Sequence, residues 1–229
     1  MATGDVKLLG YFSSPFVLRV RIALNIKSIN YEFIEENMIR KSELLLKSNP
    51  IHQKIPVLLH GERPICESLI IVQYIDDIWT TGPSILPSDP HDRAIARFWA
   101  SYIDDKLFAV LGELKTARGE EAMTSLAKKM SEGLLLLEDA YVKCSKGKTF
   151  FGGESIGYLD IALGCILAWL KVIERVANMR VLDETKVPNL VEWADNFRHD
   201  PSVKDVIPDA EKLMELYQMF IAKEHAAET

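Results

Sequence analysis

Hydrophobic positions along this chain follow two rhythms, and the change from one to the other divides it. Near the start, Val6-Lys7-Leu8-Leu9-Gly10-Tyr11 has the β-branched and aromatic content of a short strand. Phe16-Val17-Leu18-Arg19-Val20-Arg21-Ile22-Ala23-Leu24 then reads as a helix, opened by Pro15 and running to Ile26. A second strand is expected over 31–36 and a short helix over 42–47. Pro56-Val57-Leu58-Leu59-His60 and Pro64-Ile65-Cys66 flank Gly61-Glu62-Arg63, the signature of an antiparallel hairpin. From Ser68, the spacing of Ile71, Tyr74, Ile75 and Ile78 gives an amphipathic helix ending near Trp79. The order is βαβαββα: the first βαβ unit supplies parallel strands and the hairpin extends the sheet.

Beyond that point the pattern changes. Turn-forming residues crowd Thr80-Thr81-Gly82-Pro83-Ser84 and Leu86-Pro87-Ser88-Asp89-Pro90, which reads as a linker. The rest of the chain is almost wholly helical in period, over 91–116, 121–144, 158–178, 188–199 and 209–224. Three units are therefore expected: 1–80, a linker at 81–90, and an all-helical 91–229. Gly152-Gly153 breaks the second unit, and Gly157 with Asp160 forms a capping box without its usual hydroxyl, Ile156 and Ile161 acting as a hydrophobic staple around it. The polar segment 224–229 is expected to fray.

Composition narrows the function classes. The chain has 229 residues, 48% of them hydrophobic, which is ample for a packed core. A formal net charge of -6 without a Lys/Arg cluster argues against nucleic-acid or anionic-membrane partners. Asp5 and Lys7 precede any apolar run, so no signal peptide is read, and the longest apolar run, 161–170, is too short to cross a bilayer. The three cysteines, Cys66, Cys144 and Cys165, lack CxxC spacing and suit reduced thiols in a cytosolic, cytoplasmic compartment. His52, His60, His91, His199 and His225 are scattered without the paired spacing of a zinc site, so no metal is expected. There is no glycine-rich phosphate loop and no Gly-x-Ser-x-Gly elbow.

The chemistry gathers in the first unit. Ser14 falls at the N-cap of the helix that Pro15 opens, where free amides and the helix dipole favour an anion. Ile55-Pro56 opens a strand at a place where proline cannot donate to a ladder, and Ile55 could pair its backbone with an extended peptide. Glu67-Ser68 begins the helix after the hairpin, with amides and a hydroxyl suited to a carboxylate and Glu67 to an amine. Lys41 and Lys54 bracket the same region. Each element has a plain structural reading as cap, edge strand or solvated lysine. Together they describe an extended, peptide-like ligand with a carboxylate and amine at one end, a second carboxylate at the other, and an anion near Ser14.

Along essentially its whole length the sequence resembles a glutathione transferase of the plant tau class. The residues that carry the resemblance are Ser14-Pro15-Phe16 with Arg19-Val20-Arg21-Ile22-Ala23-Leu24, Asn49-Pro50, Lys54-Ile55-Pro56-Val57-Leu58 and Ile65-Cys66-Glu67-Ser68. They continue through Leu86-Pro87-Ser88-Asp89-Pro90, Arg97-Phe98-Trp99, Phe151-Gly152-Gly153 and Asp160-Ile161-Ala162. The resemblance implies an α/β thioredoxin-like N-terminal domain, an all-α C-terminal domain, a cis Pro56 and a homodimer. It implies that Ser14, rather than Ser13, activates the thiol of glutathione, a co-substrate that makes a separate cofactor unnecessary. By the same resemblance Ile55 pairs with the cysteinyl backbone, Glu67 and Ser68 hold the γ-glutamyl end, and Lys41 and Lys54 reach the glycyl carboxylate.

The thiolate would attack a small hydrophobic electrophile, as in detoxification and stress response, and hydroperoxide reduction is a related activity of the family. The electrophile is expected between the two units, against Tyr11, Phe12, Phe16, Phe108, Gly112 and Trp169. Phe12-Ser13 stands where tau sequences often have Trp-Pro, and Gly112 and Lys115 where larger or aromatic residues are common, which implies a wider or more polar acceptor site. Arg19 and Arg21 read as surface residues that could also deepen the positive field. A noncatalytic carrier of apolar metabolites (a ligandin) and a protein-interaction module are the alternatives from other classes. A serine rather than a cysteine at position 14 argues against thiol-disulfide exchange.

Overall fold

In the computed structural model, residues 5–37 and 40–227 are described, with side chains through 222. Strands β1 (Val6–Gly10), β2 (Glu32–Glu35), β3 (Val57–His60) and β4 (Arg63–Cys66) form one sheet in the order β2-β1-β3-β4. β1 and β2 are parallel, while β3 is antiparallel to both β1 and β4, as the βαβ unit and hairpin require. Helices α1 (Pro15–Ile26) and α3 (Ser68–Ile78) pack together on one face, and α2 (Glu43–Ser48) covers the other. The strand alternation explains this division. Leu8 and Leu58 enter the main core, whereas Leu9, Val57 and Leu59 join Leu45 of α2 in a second cluster.

The helical half comprises α4 (Pro90–Tyr102), α5 (Ala109–Glu113), α6 (Gly119–Ser145), α7 (Tyr158–Gly164), α8 (Leu167–Ala177), α9 (Pro188–His199) and α10 (Ala210–Ala227). Its main differences from the sequence pattern are local. A π-helical stretch, Ile103–Phe108, joins α4 to α5, and the chain leaves helix soon after Glu113 rather than at 116. The expected helix over 158–178 is two helices, interrupted at Cys165 and Ile166 by a tight Ile166 N–H to Leu163 carbonyl bond. At that break a Cβ on Gly164 would lie 2.2 Å from the Phe197 ring, so only glycine permits the approach of α7 to α9. α10 continues through Ala227 rather than fraying from 224; positions 228–229 lie outside the described residues.

Two carboxylates organise the polar interior. Asp160, fully buried, accepts from the N–H groups of Phe151, Gly152 and Gly157 and from Nε1 of Trp193, at 2.7–2.9 Å. Burial pushes its carboxyl up to about 6, partly offset by those donors. Asp76 of α3 receives the Lys27 ammonium at 2.7 Å and the N–H groups of Ile85 and Leu86, each at 2.9 Å. Lys27 also donates to the Pro83 carbonyl, so the linker is fastened to α1 and α3 rather than left to swing.

Arg19 overturns its surface reading. It is wholly buried, and its guanidinium donates to Ser68 Oγ, both Asp104 carboxylate oxygens and the Ala162 carbonyl. It therefore joins α1 and α3 to the π-helical stretch and α7. Arg21 is half-buried, 3.2 Å from the Tyr31 hydroxyl and over the Phe33 ring.

Candidate active site

A cleft of about 490 Å³ opens between the sheet half and the helical half. Ser14 lines it, at the N-cap of α1, with extended backbone (φ -74°, ψ 115°). Proline at the first helical position has no N–H to place, and the Val17 and Leu18 N–H groups both close on the Ser14 carbonyl at 3.0 Å. The helix start is consequently less open in free amides than its sequence suggests. The Ser14 hydroxyl, however, takes no part in capping. Ser13 also lines the cleft but is mostly buried, and its carbonyl accepts from Trp169 Nε1 at 3.0 Å.

On the sheet side the lining includes Lys41, Gln53, Lys54 and Ile55. Lys41 and Lys54 are exposed, and no described carboxylate pairs with either ammonium. The Ile55-Pro56 bond is cis, and among the described residues no backbone hydrogen bond is made by Ile55. The Lys54 carbonyl is held by the Asn49 side-chain amide at 2.9 Å. Glu36, buried beside Lys41, accepts from both the N–H and hydroxyl of Ser42, which also caps α2.

Glu67 and Ser68 lie outside the cleft lining but beside it. The β3–β4 ladder ends at the Val57–Cys66 pair, so Glu67 and Ser68 follow directly from the end of β4, while Ile55 lies two residues before Val57 on the paired strand. Glu67 adopts φ 70°, a conformation that costs a non-glycine residue about 1–3 kcal/mol and is concentrated at functional sites. Its exposed carboxylate stands 3.9 Å from His52 Nε2. The Ser68 hydroxyl does not face outward as expected: it is buried and accepts from Arg19 at 3.2 Å.

On the helical side Phe108, Gly112 and Trp169 line the cleft as expected, together with Tyr11 and Phe16 from the sheet half. Phe16 and Phe108 form a tilted pair with centroids 4.6 Å apart and planes inclined at 32°, and the Arg19 guanidinium lies 4.5 Å from the centre of the Phe108 ring. A Cβ on Gly112 would meet nothing within 4 Å, so the cleft is wide there. Phe12 is not part of the lining. Its ring packs on Tyr11 and lies under the Lys212 ammonium of α10 at 4.6 Å.

Sequence reading overlooked Leu111, Leu114 and the α10 residues Tyr217, Phe220 and Ile221. The last three carried a signal, since spacing of three and four puts them on one helix face. Burial pushes the Tyr217 hydroxyl up, while the Arg118 charge pulls it down.

Two family models match this chain: Glutathione S-transferase, N-terminal domain, over residues 4–77, and Glutathione S-transferase, C-terminal domain, over 92–201. The chain belongs to the glutathione S-transferase family. It is 57% identical to glutathione S-transferase U17 of Arabidopsis thaliana, over 99% of this chain and 100% of that one. The tau-class glutathione S-transferase of mango, Mangifera indica, superposes with a TM-score of 0.90 at 58% identity, covering 96% of this chain and 100% of the other. A rice glutathione S-transferase crystallised with glutathione superposes at 0.88 with 37% identity, over 97% and 99% of the two chains. The tau-class assignment and the thioredoxin-like plus all-helical architecture of this glutathione S-transferase follow from these relatives. No helix among the described residues is long and apolar enough to cross a membrane.

Proposed function

We propose that this glutathione S-transferase conjugates glutathione to hydrophobic electrophiles, with the Ser14 hydroxyl as donor to the sulfur. The observation that carries the reading is that hydroxyl: it lines the interdomain cleft at a helix N-terminus yet caps nothing. An ordinary alkyl thiol titrates near about 8.5, so little is thiolate at neutral pH. A hydrogen bond to a charged group is worth about 1.5–3 kcal/mol, which would lower the thiol pKa by roughly one to two. The helix dipole acts in the same sense. The thiolate then bonds to an aryl carbon and a halide leaves, or it adds to an activated alkene.

In this reading the 1–80 unit holds glutathione. Ile55 offers its unpaired backbone to the cysteinyl amide, Lys41 and Lys54 attract the glycyl carboxylate, and Glu67 with the backbone N–H of Ser68, rather than its buried hydroxyl, receives the γ-glutamyl end. The 91–229 unit supplies most of the acceptor wall. The protein acts as a cytosolic homodimer without a separate cofactor, and the bare apolar side chains of Ile51, Ile70 and Phe98 are surface that a second copy would cover. Hydroperoxide reduction by the same thiolate is a secondary activity.

The test is conjugation of 1-chloro-2,4-dinitrobenzene across pH by the parent, Ser14→Ala and Ser13→Ala. Ser14→Ala should lose about 10- to 100-fold in kcat/KM at neutral pH and shift the thiol's apparent pKa upward. Retained activity in Ser14→Ala with collapse in Ser13→Ala would assign the chemistry to the other hydroxyl.

A further inference from the structure

We infer that the acceptor this cleft selects is an apolar electrophile carrying a carboxylate, which Lys115 receives. The inference rests on the conjugation reading and adds a substrate class to it.

The helical wall of the cleft is largely apolar, and its polar groups are few. Trp169 has already given its indole N–H to the Ser13 carbonyl. That leaves the Lys115 ammonium and the Tyr217 hydroxyl, and among the described residues neither has a hydrogen bond or ion pair. Lys115 lies in the turn after α5, and Tyr217 comes from α10. A further cation, Arg118, is bound into this turn through the Lys115 and Ala117 carbonyls at 2.7 and 2.8 Å. Its charge reaches Tyr217, whose hydroxyl it pulls down against burial.

Among the described residues no acid pairs with the Lys115 ammonium. Glu113, two residues before Lys115, is taken by Lys129 at 2.8 Å. Among the described residues Glu36 is the one acidic residue lining the cleft; it belongs to the sheet side and is bound by Ser42. In a chain of net charge -6, the cleft therefore offers cations on both sides: Lys41 and Lys54 on the sheet half, Lys115 on the helical half. The sheet-side pair suits glutathione's own carboxylate. Lys115 stands with the acceptor wall, where a second carboxylate would find an ammonium beside an apolar surface.

The probe pair is ethacrynic acid and its methyl ester. Both carry the same activated alkene, and an ether methylene insulates it from the acid group. In the reaction the sulfur bonds to the terminal alkene carbon, the alkene pair moves to the carbonyl oxygen, and the enolate takes a proton from water. The thiol proton goes to solvent and nothing leaves. With saturating glutathione at low ionic strength, the acid should exceed the ester by about fivefold in kcat/KM, as expected for an exposed charge pair. Lys115→Met should bring that ratio near one and Lys115→Glu below one. About 0.5 M salt should erase most of the preference in the parent.

A parent ratio near one, or a ratio unchanged in Lys115→Glu, overturns the inference. So does an equal loss for both acceptors with a raised KM for glutathione, because Lys115 would then serve glutathione. Calorimetric binding of the unreactive dihydro acid and dihydro ester, in the presence of S-methylglutathione, should show the same fivefold order. Failure to conjugate either alkene would sink the conjugation reading, while binding would still decide the carboxylate preference.

Discussion

Replacing Arg19 with methionine tests whether the buried guanidinium holds the two halves of the molecule together. The side chain is 0% exposed and supplies four hydrogen bonds: to Ser68 Oγ at 3.2 Å, the two Asp104 carboxylate oxygens at 3.3 and 2.6 Å, and the Ala162 carbonyl at 3.0 Å. Asp104 is 35% exposed and can rehydrate when its partner goes. The Ser68 hydroxyl and Ala162 carbonyl are buried, and orphaning each costs about 1–3 kcal/mol. Against this, methionine removes a desolvated charge whose Nε already lacks a partner. The balance is a loss of about 3–5 kcal/mol, as for other broken buried pairs. With a urea slope of about 3 kcal/mol/M, the midpoint should fall by roughly 1–1.7 M. Measurements need one protein concentration, because dimerisation would contribute to apparent stability. Arg19→Met/Asp104→Asn should recover part of the loss, as expected for directly coupled residues. A single-variant loss below about 1 kcal/mol would refute the bridging role.

Lys27→Met should cost about 3–5 kcal/mol, because it strips a buried carboxylate of its ammonium. Burial pushes the Asp76 carboxyl up, but the Ile85 and Leu86 amides and Lys27 together hold it below the usual range. Its contribution is thus present above the unfolded carboxyl value of about 3.9 and is lost as pH falls through the folded one. Thermal midpoints over about pH 2–7 should show this acid loss diminished in Lys27→Met; an unchanged profile would mean that Asp76 does not depend on Lys27. At Gly112, where a side chain meets open space, alanine should raise the melting temperature by about 2–4 °C through helix propensity. Gly112→Phe should spare a small aryl halide and penalise a bulky acceptor, read as their kcat/KM ratio; equal effects on both would show that position 112 does not bound the acceptor.

The sheet half was legible because its signals are local. Pro15, the hairpin signature around Gly61 and the β-branched and aromatic content of 6–11 each act within a few residues, and they position Ser14 and Ile55 without long-range information. The helical half was legible in outline only. Its π-helical stretch has no sequence period of its own, and the break between α7 and α8 depends on Phe197 pressing against Gly164. Arg19 was misread for a related reason: nothing in its neighbourhood announces a carboxylate 85 positions away. Phe12 failed as a wall residue because Lys212, far along the chain, offers its ring another partner. Tyr217 and Phe220 could have been found, since an apolar face on the last helix implies something to cover.

The long-range contacts converge on α1. At its start, Trp169 of α8 holds the Ser13 carbonyl; at its middle, Arg19 binds the π-helical stretch and α7; near its end, the Asn25 amide donates to the Ser202 carbonyl at 2.9 Å. Each tie crosses from the sheet half to the helical half, so the helix that presents Ser14 is fixed at three heights against the wall that would hold the acceptor. An active site divided between two halves needs this arrangement, because a displacement of about 1 Å between nucleophile and acceptor can cost two orders of magnitude in rate. The same ties explain why the π-helical stretch matters. Asp104 and Phe108 lie nearly one turn apart on it, so the segment that anchors Arg19 also delivers an aromatic ring to the cleft. A change that relaxed this stretch to regular α-helix would move both together, linking the stability of the junction to the shape of the acceptor site.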